Sequence, residues 1–164
     1  MDKKSIKTLI ERALKELIGR DIDLIHRKVR EECINHRLAC YLEQFLSEYK
    51  CGIEYSVDLE YNKTIDENKN IKAIRPDIII HERKNNDNNL IAFEIKKNYT
   101  ERTLKHDLKK ILKHDLKKIR GLFRSPYNYK YGCLISYLPE KNYIKVKLLS
   151  NQGDVEEFRV NKNK

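Results

Sequence analysis

The chain of 164 residues carries 35 Lys or Arg against 25 Asp or Glu, a formal net charge of +10, and 40% of it is hydrophobic. That suits one domain over residues 1–164, with one core under a heavily charged surface. The basic balance favours a polyanionic partner, nucleic acid first and an anionic membrane surface second, with a Lys-rich solubilising surface as the plain alternative. No apolar run approaches the ~20 residues of a membrane span. Met1-Asp2-Lys3-Lys4 leads into an amphipathic segment and not an apolar h-region, so no signal peptide is expected. Cys33, Cys40, Cys51 and Cys133 show neither a CxxC pair nor zinc spacing, so a reducing, cytoplasmic home is expected.

In chain order, Ile6, Leu9, Ile10, Ala13, Leu14, Leu17 and Ile18 recur at helical spacing, and Gly19 is a plausible stop. That helix, residues 5–18, could pack on the core or form a dimer seam. A second helix is expected over roughly 22–49. Residues 53–62 alternate as a strand, and the Asn-, Lys- and Asp-rich stretch 62–72 reads as a loop. Residues 74–81 and 90–97 form two β-rich runs around an Asn-rich turn, so they should pair as a hairpin. A third helix spans roughly 101–121. It contains LKHDLKKI twice in tandem, from Leu104 to Ile111 and from Leu112 to Ile119. Strands at 131–138, 143–149 and 155–160 complete an α/β (α+β) domain with a mixed sheet flanked by helices.

The hairpin carries charges where a buried strand excludes them. Glu94 and Lys96 share one face of their strand, and Asp77 on the partner strand can face them. Two carboxylates brought together repel, and one keeps a proton unless a cation intervenes. Mg²⁺ or Mn²⁺ is the simplest candidate, since such ions take one or two carboxylates plus water and phosphate oxygens. Lys96 could then contact the phosphate or the attacking water, which is equipment for metal-assisted phosphodiester hydrolysis. The alternative is a Lys–carboxylate pair that merely satisfies itself. On the second helix, Glu31 projects into the middle of the stripe Ile34, Leu38, Tyr41, Leu42 and Phe45, and an acid there needs a partner, either a metal site at the sheet's edge or, at a frayed stripe end, Asn35 or Arg37.

Pro76-Asp77, sixteen residues, then Glu94-Ile95-Lys96 resembles the signature of the PD-(D/E)XK nuclease superfamily. The segments from Glu31 to Ala39, from Asp58 to Asn62 and from Arg75 to His81 resemble stretches of its small prokaryotic members. The resemblance covers roughly residues 29–137. It implies a restriction-endonuclease-like core of order αβββαβ over 21–164, with extra C-terminal strands and residues 1–20 as a helical extension. It also implies a Mg²⁺-dependent (or Mn²⁺-dependent) endonuclease or exonuclease. Asp77, Glu94 and the Ile95 carbonyl would bind the metal, Glu31 would complete its shell, and Lys96 would orient or activate water. The duplicated helix leaves Asp107 and Asp115 as alternatives for the family's helix position.

Residues 101–121 hold eight Lys or Arg against three Asp or Glu. With Leu104, Leu108, Ile111, Leu112, Ile119 and Leu122 as the packing stripe, Lys105, Lys109, Lys110, Lys113, Lys117 and Lys118 are left for solvent or phosphate. Tyr127, Tyr129 and Tyr131 could stack on bases, although packing at a strand start is favoured. His106 and His114 should face solvent. The expected partner is DNA, not a membrane, and a homodimer would suit cutting of both strands. The competing expectation is a catalytically inactive nucleic-acid-binding or protein-interaction module of the same fold.

Overall fold

The computed structural model describes residues 1–27, 29–50, 52–60, 75–83, 85, 87–97 and 107–162, with side chains in the last span from residue 114 onward. Helices α1 (Lys3–His26) and α2 (Glu31–Leu46) come first. Strands β1 (Ser56–Leu59), β2 (Ile78–His81) and β3 (Asn89–Lys97) follow. Helix α3 (Asp107–Leu122) then leads to β4 (Tyr131–Tyr137), β5 (Tyr143–Ser150) and β6 (Val155–Asn161). The six strands lie side by side in sequence order. All neighbours are antiparallel except β3 and β4, which run parallel with α3 inserted between them. This is an α/β protein with two N-terminal helices and a six-stranded mixed sheet.

Helix α1 buries Ile6, Leu9, Ile10, Ala13, Leu14, Leu17 and Ile18, the stripe read from spacing, against the core of its own chain. Asp2 caps its start by accepting the Ser5 N–H at 2.8 Å. The expected stop at Gly19 is corrected: the helix continues to His26, with non-helical dihedrals at Asp21 (φ −128°, ψ 23°). Buried Leu17 and Ile25 hold both sides of that kink, so packing overrides the weak propensity of one glycine. The Asp21 carboxylate ties the kink to α2, accepting from Arg37 Nε at 2.9 Å and the Tyr41 hydroxyl at 2.5 Å. The second helix therefore starts at Glu31 instead of near residue 22. Its stripe also shifts slightly, because Leu46 is buried whereas Phe45 is half-buried under the Arg12 guanidinium.

The expected hairpin forms, with Ile78 opposite Phe93 and Ile80 opposite Ile91. Its Asn-rich turn is closed by side chains. Asn85 Oδ1 accepts the Asp87 N–H, and Glu82 Oε2 accepts from the amides of Asn85 and Asn88. Alternation along β3 divides the core in two. Ile91, Phe93 and Ile95 face α1 and α2, whereas Ala92 faces a smaller cluster with Ile79, Ile119, Leu122, Leu134 and Leu149 under α3. Asp58 of β1 is structural: it lies 2.7 Å from buried His81 Nε2 and takes both Arg83 Nε and Nη2.

Gly132 lets α3 approach. A Cβ on Gly132 would lie 2.2 Å from Ile119 Cγ2, so the helix sits directly on the β4 backbone there.

Candidate active site

Strand β2 starts at Ile78, just after Pro76, which has no N–H to give a ladder. The side chain of Asp77 completes the pairing instead. Its Oδ2 accepts the Ile95 N–H at 2.6 Å, while its own N–H donates to the Phe93 carbonyl at 3.0 Å. The carboxylate is thereby fixed beside Glu94 and Lys96. Glu94 is only 2% exposed. Lys96 Nζ lies 4.0 Å from Asp77 Oδ2 and 3.6 Å from Glu31 Oε1.

Glu31 arrives from the first turn of α2. Its Oε2 accepts the Lys97 N–H at 2.5 Å, which closes the end of β3. The Lys97 side chain anchors the same junction. Its Nζ donates to the carbonyls of Leu24 at 3.2 Å, Val29 at 3.0 Å and Arg27. A cation at the carbonyl end of α1 also complements the helix dipole. So the four residues read from sequence as catalytic, Asp77, Glu94, Lys96 and Glu31, meet at the end of β3.

The electrostatics are those of acids with too little compensation. Burial pushes the Glu94 carboxyl up to about 7, and the neighbouring Asp77 charge adds to the rise against the pull of Lys118 and Lys96. Burial also raises Asp77, against its bond from the Ile95 N–H. Glu31 is raised by burial too, opposed by the Lys97 N–H. For Lys96, burial works against the ammonium, but Asp77, Glu31 and Glu94 together outweigh it and leave its pKa above the ordinary value. Lys96 therefore carries its proton here, which suits orientation and charge stabilisation better than proton abstraction.

Two residues complete the site that spacing misplaced or left open. Lys118, expected to face solvent or phosphate, instead points inward, with Nζ 2.5 Å from Glu94 Oε1. Asp115 is 6% exposed and acts electrostatically on Asp77 and Lys96, which brings it to the site, whereas the side chain of Asp107 lies outside the described residues. Both were legible in principle, since positions 115, 118, 119 and 122 share a helical face with the buried Ile119 and Leu122. Lys117 is exposed, as expected, and so is His114. Lys105, His106 and Leu104 lie outside the described residues, as do the side chains of Asp107, Leu108, Lys109, Lys110, Ile111, Leu112 and Lys113. Loop 62–72 and Cys51 lie outside them in whole or large part. Tyr127 and Tyr129 are buried, so packing and not base stacking occupies them.

The donor set fits a divalent ion of the hydrated kind. Among the described residues no group of three or more His, Cys, Asp or Glu could hold a metal ion by itself. Asp77 and Glu94 offer two carboxylates, the contribution a Mg²⁺ takes when water and phosphate supply the rest. Glu94 Oε1 is fully buried and accepts no aligned hydrogen bond among the described residues. An acid so placed favours a cation, and Lys118 supplies one in this structure. Glu31 has one oxygen on the Lys97 N–H and the other near Lys96, so in this geometry it holds the lysine.

Among the described residues no helix is long and apolar enough to cross a membrane. Comparison with protein-family models, with curated proteins and with solved structures gives no match to this chain.

Proposed function

We propose that the chain is a divalent-metal-dependent nuclease that hydrolyses phosphodiester bonds in DNA, of the PD-(D/E)XK type that its motifs resemble. The observation that carries this reading is the junction of Asp77, Glu94 and a protonated Lys96 at the end of β3, with Glu94 raised to about 7 by burial and by Asp77. The element order α2, β1–β2–β3, α3, β4 supports a restriction-endonuclease-like core.

In this reading Asp77 and Glu94 hold Mg²⁺ or Mn²⁺, and the Ile95 carbonyl is a further ligand by the resemblance. When bound, the ion polarises the scissile phosphate and lowers the pKa of water beside it. The chain's own residues do the rest. The Ile95 N–H fixes the Asp77 carboxylate, so the donor pair is preorganised. Glu31 holds Lys96 with its ammonium toward the acids, where it can orient water and offset negative charge on phosphorus oxygens. Lys118 neutralises Glu94 until a cation replaces it.

The test is cleavage of plasmid and oligonucleotide DNA with Mg²⁺ or Mn²⁺. Wild type should cut, whereas Asp77→Ala and Lys96→Ala should lose about 100-fold or more, the scale of removing one electrostatic catalytic group. Equal rates in all three would sink the assignment. A non-catalytic module predicts binding without metal and without cleavage.

A further inference from the structure

Helix α3 packs on β3 and β4 and covers Leu149 at one end of β5, and among the described residues nothing else packs on the same face of β5 and β6. The register sets out what lies there. Lys96 is paired with Ser136, Ser136 with Lys145, and Lys145 with Arg159. These four residues form one row across four strands, starting at the candidate site. With strands about 4.8 Å apart, the row spans roughly 14 Å. In the next row, Lys147 lies beside Leu134 and Glu157.

The charge on this face is uneven. Lys145, Lys147 and Arg159 face one acid, Glu157, which contacts Lys145 at 3.2 Å and Lys147 at 2.8 Å. Arg159 carries no ion pair to it and lies over the Tyr143 ring, 4.4 Å from its centroid. Farther along the strands, a cleft whose charged lining is Arg120, Arg124 and one acid, Asp154, separates α3 from the β5–β6 turn. Two arginines thus border the uncovered face from the helix side. A cationic face beside buried Glu94 and half-buried Asp77 has the charge of a polyanion track, because phosphate contacts position a nucleic acid without reading its sequence. These cations on β5 and β6 are distinct from the α3 lysines that the sequence alone offers to phosphate.

The geometry points to the open face of β4–β6, along Lys96, Ser136, Lys145 and Arg159 with Lys147 beside them, as the track for the DNA backbone flanking the scissile phosphate. The direction of the track rests on the nuclease reading. The binding itself does not, and it is tested without catalysis.

The experiment measures binding of labelled DNA in EDTA by fluorescence anisotropy over a series of salt concentrations. Lys145→Gln/Arg159→Gln should bind at least about tenfold more weakly, with a salt slope shallower by about two. Lys4→Gln/Lys50→Gln, on exposed positions of the helical side, should bind as wild type. A second readout needs no variant: bound DNA should protect Lys145 and Lys147 of wild type from acetylation while leaving Lys4 and Lys50 reactive. An unchanged slope in the first variant, absence of protection, or wild type that binds anionic phosphatidylserine vesicles but no DNA each overturns the track. Loss of binding in the variant from a wild type that cuts no DNA upholds the track and overturns the nuclease.

Discussion

Half-buried Lys118 of α3 and buried Glu94 of β3 form an ion pair, Nζ to Oε1 at 2.5 Å, that joins the inserted helix to the candidate metal site. A cation on a metal ligand competes with the metal. Lys118→Met should therefore bind Mn²⁺ about tenfold more tightly, equivalent to roughly 1.4 kcal/mol of removed repulsion. It should also lose about 1–3 kcal/mol of stability in EDTA, since Glu94 keeps its burial and loses a partner. Calorimetric Mn²⁺ titration and denaturant unfolding read the two effects.

Glu94 makes the apo fold depend on pH in an unusual direction. Its carboxyl stands at about 7 in the fold against an ordinary 4.5. Between those values the folded chain holds a proton that the unfolded chain releases. Stability contributed by the neutral acid is thus full below about pH 4.5 and is lost as pH rises through 7, a change on the order of 3 kcal/mol. Urea unfolding in EDTA should show this fall. Glu94→Gln should remove most of it and be more stable than wild type at pH 8, whereas saturating Mn²⁺ should restore wild-type stability there.

Gly132 should tolerate no side chain. The Cβ of Gly132→Ala would meet Ile119 Cγ2 at 2.2 Å and push α3 from the sheet. The cost should be about 1–3 kcal/mol, the range for overpacking a core. Because Lys118 rides on that helix, Mn²⁺ should bind more tightly as its ammonium leaves Glu94. Ile119→Ala, which removes Cγ2, should destabilise Gly132→Ala less than it destabilises wild type, as measured by thermal unfolding, with Mn²⁺ titration reading the site.

Lys97→Met tests the support of Glu31. Its ammonium serves three carbonyls at the α1–α2 junction, so removing it should cost about 1–3 kcal/mol by leaving those acceptors short. Cleavage should fall more than for a surface lysine such as Lys15, since the start of α2 then loses its anchor. Equal cleavage by Lys97→Met and Lys15→Met would remove Lys97 from the account.

The charges of Asp77, Glu94 and Lys96 were legible because alternation along a strand is strict and their neighbours are Ile, Ala and Phe. Glu31 was legible from helical projection, since it falls in the stripe that α2 buries. Lys118 was misread because a lysine in a Lys-rich helix looks solvated, and only the seat of α3 on Gly132 shows which of them turns inward. Lys97 is not legible from sequence because its partners are the backbone carbonyls of Leu24, Arg27 and Val29, far earlier in the chain, which no local pattern marks. The row from Lys96 to Arg159 needs the strand order and register, which depend on pairing between distant segments. The stop at Gly19 failed for the same reason: contacts made across α1 and α2 decide whether the helix continues.

The central claim, a divalent ion held between Asp77 and Glu94, is tested most directly by anomalous diffraction from crystals of this chain soaked in Mn²⁺. The account predicts one strong peak between the two carboxylates, with Lys118 Nζ displaced from Glu94, and loss of the peak in Asp77→Asn. A soak that leaves the space between them without a peak and Lys118 on Glu94 would contradict it.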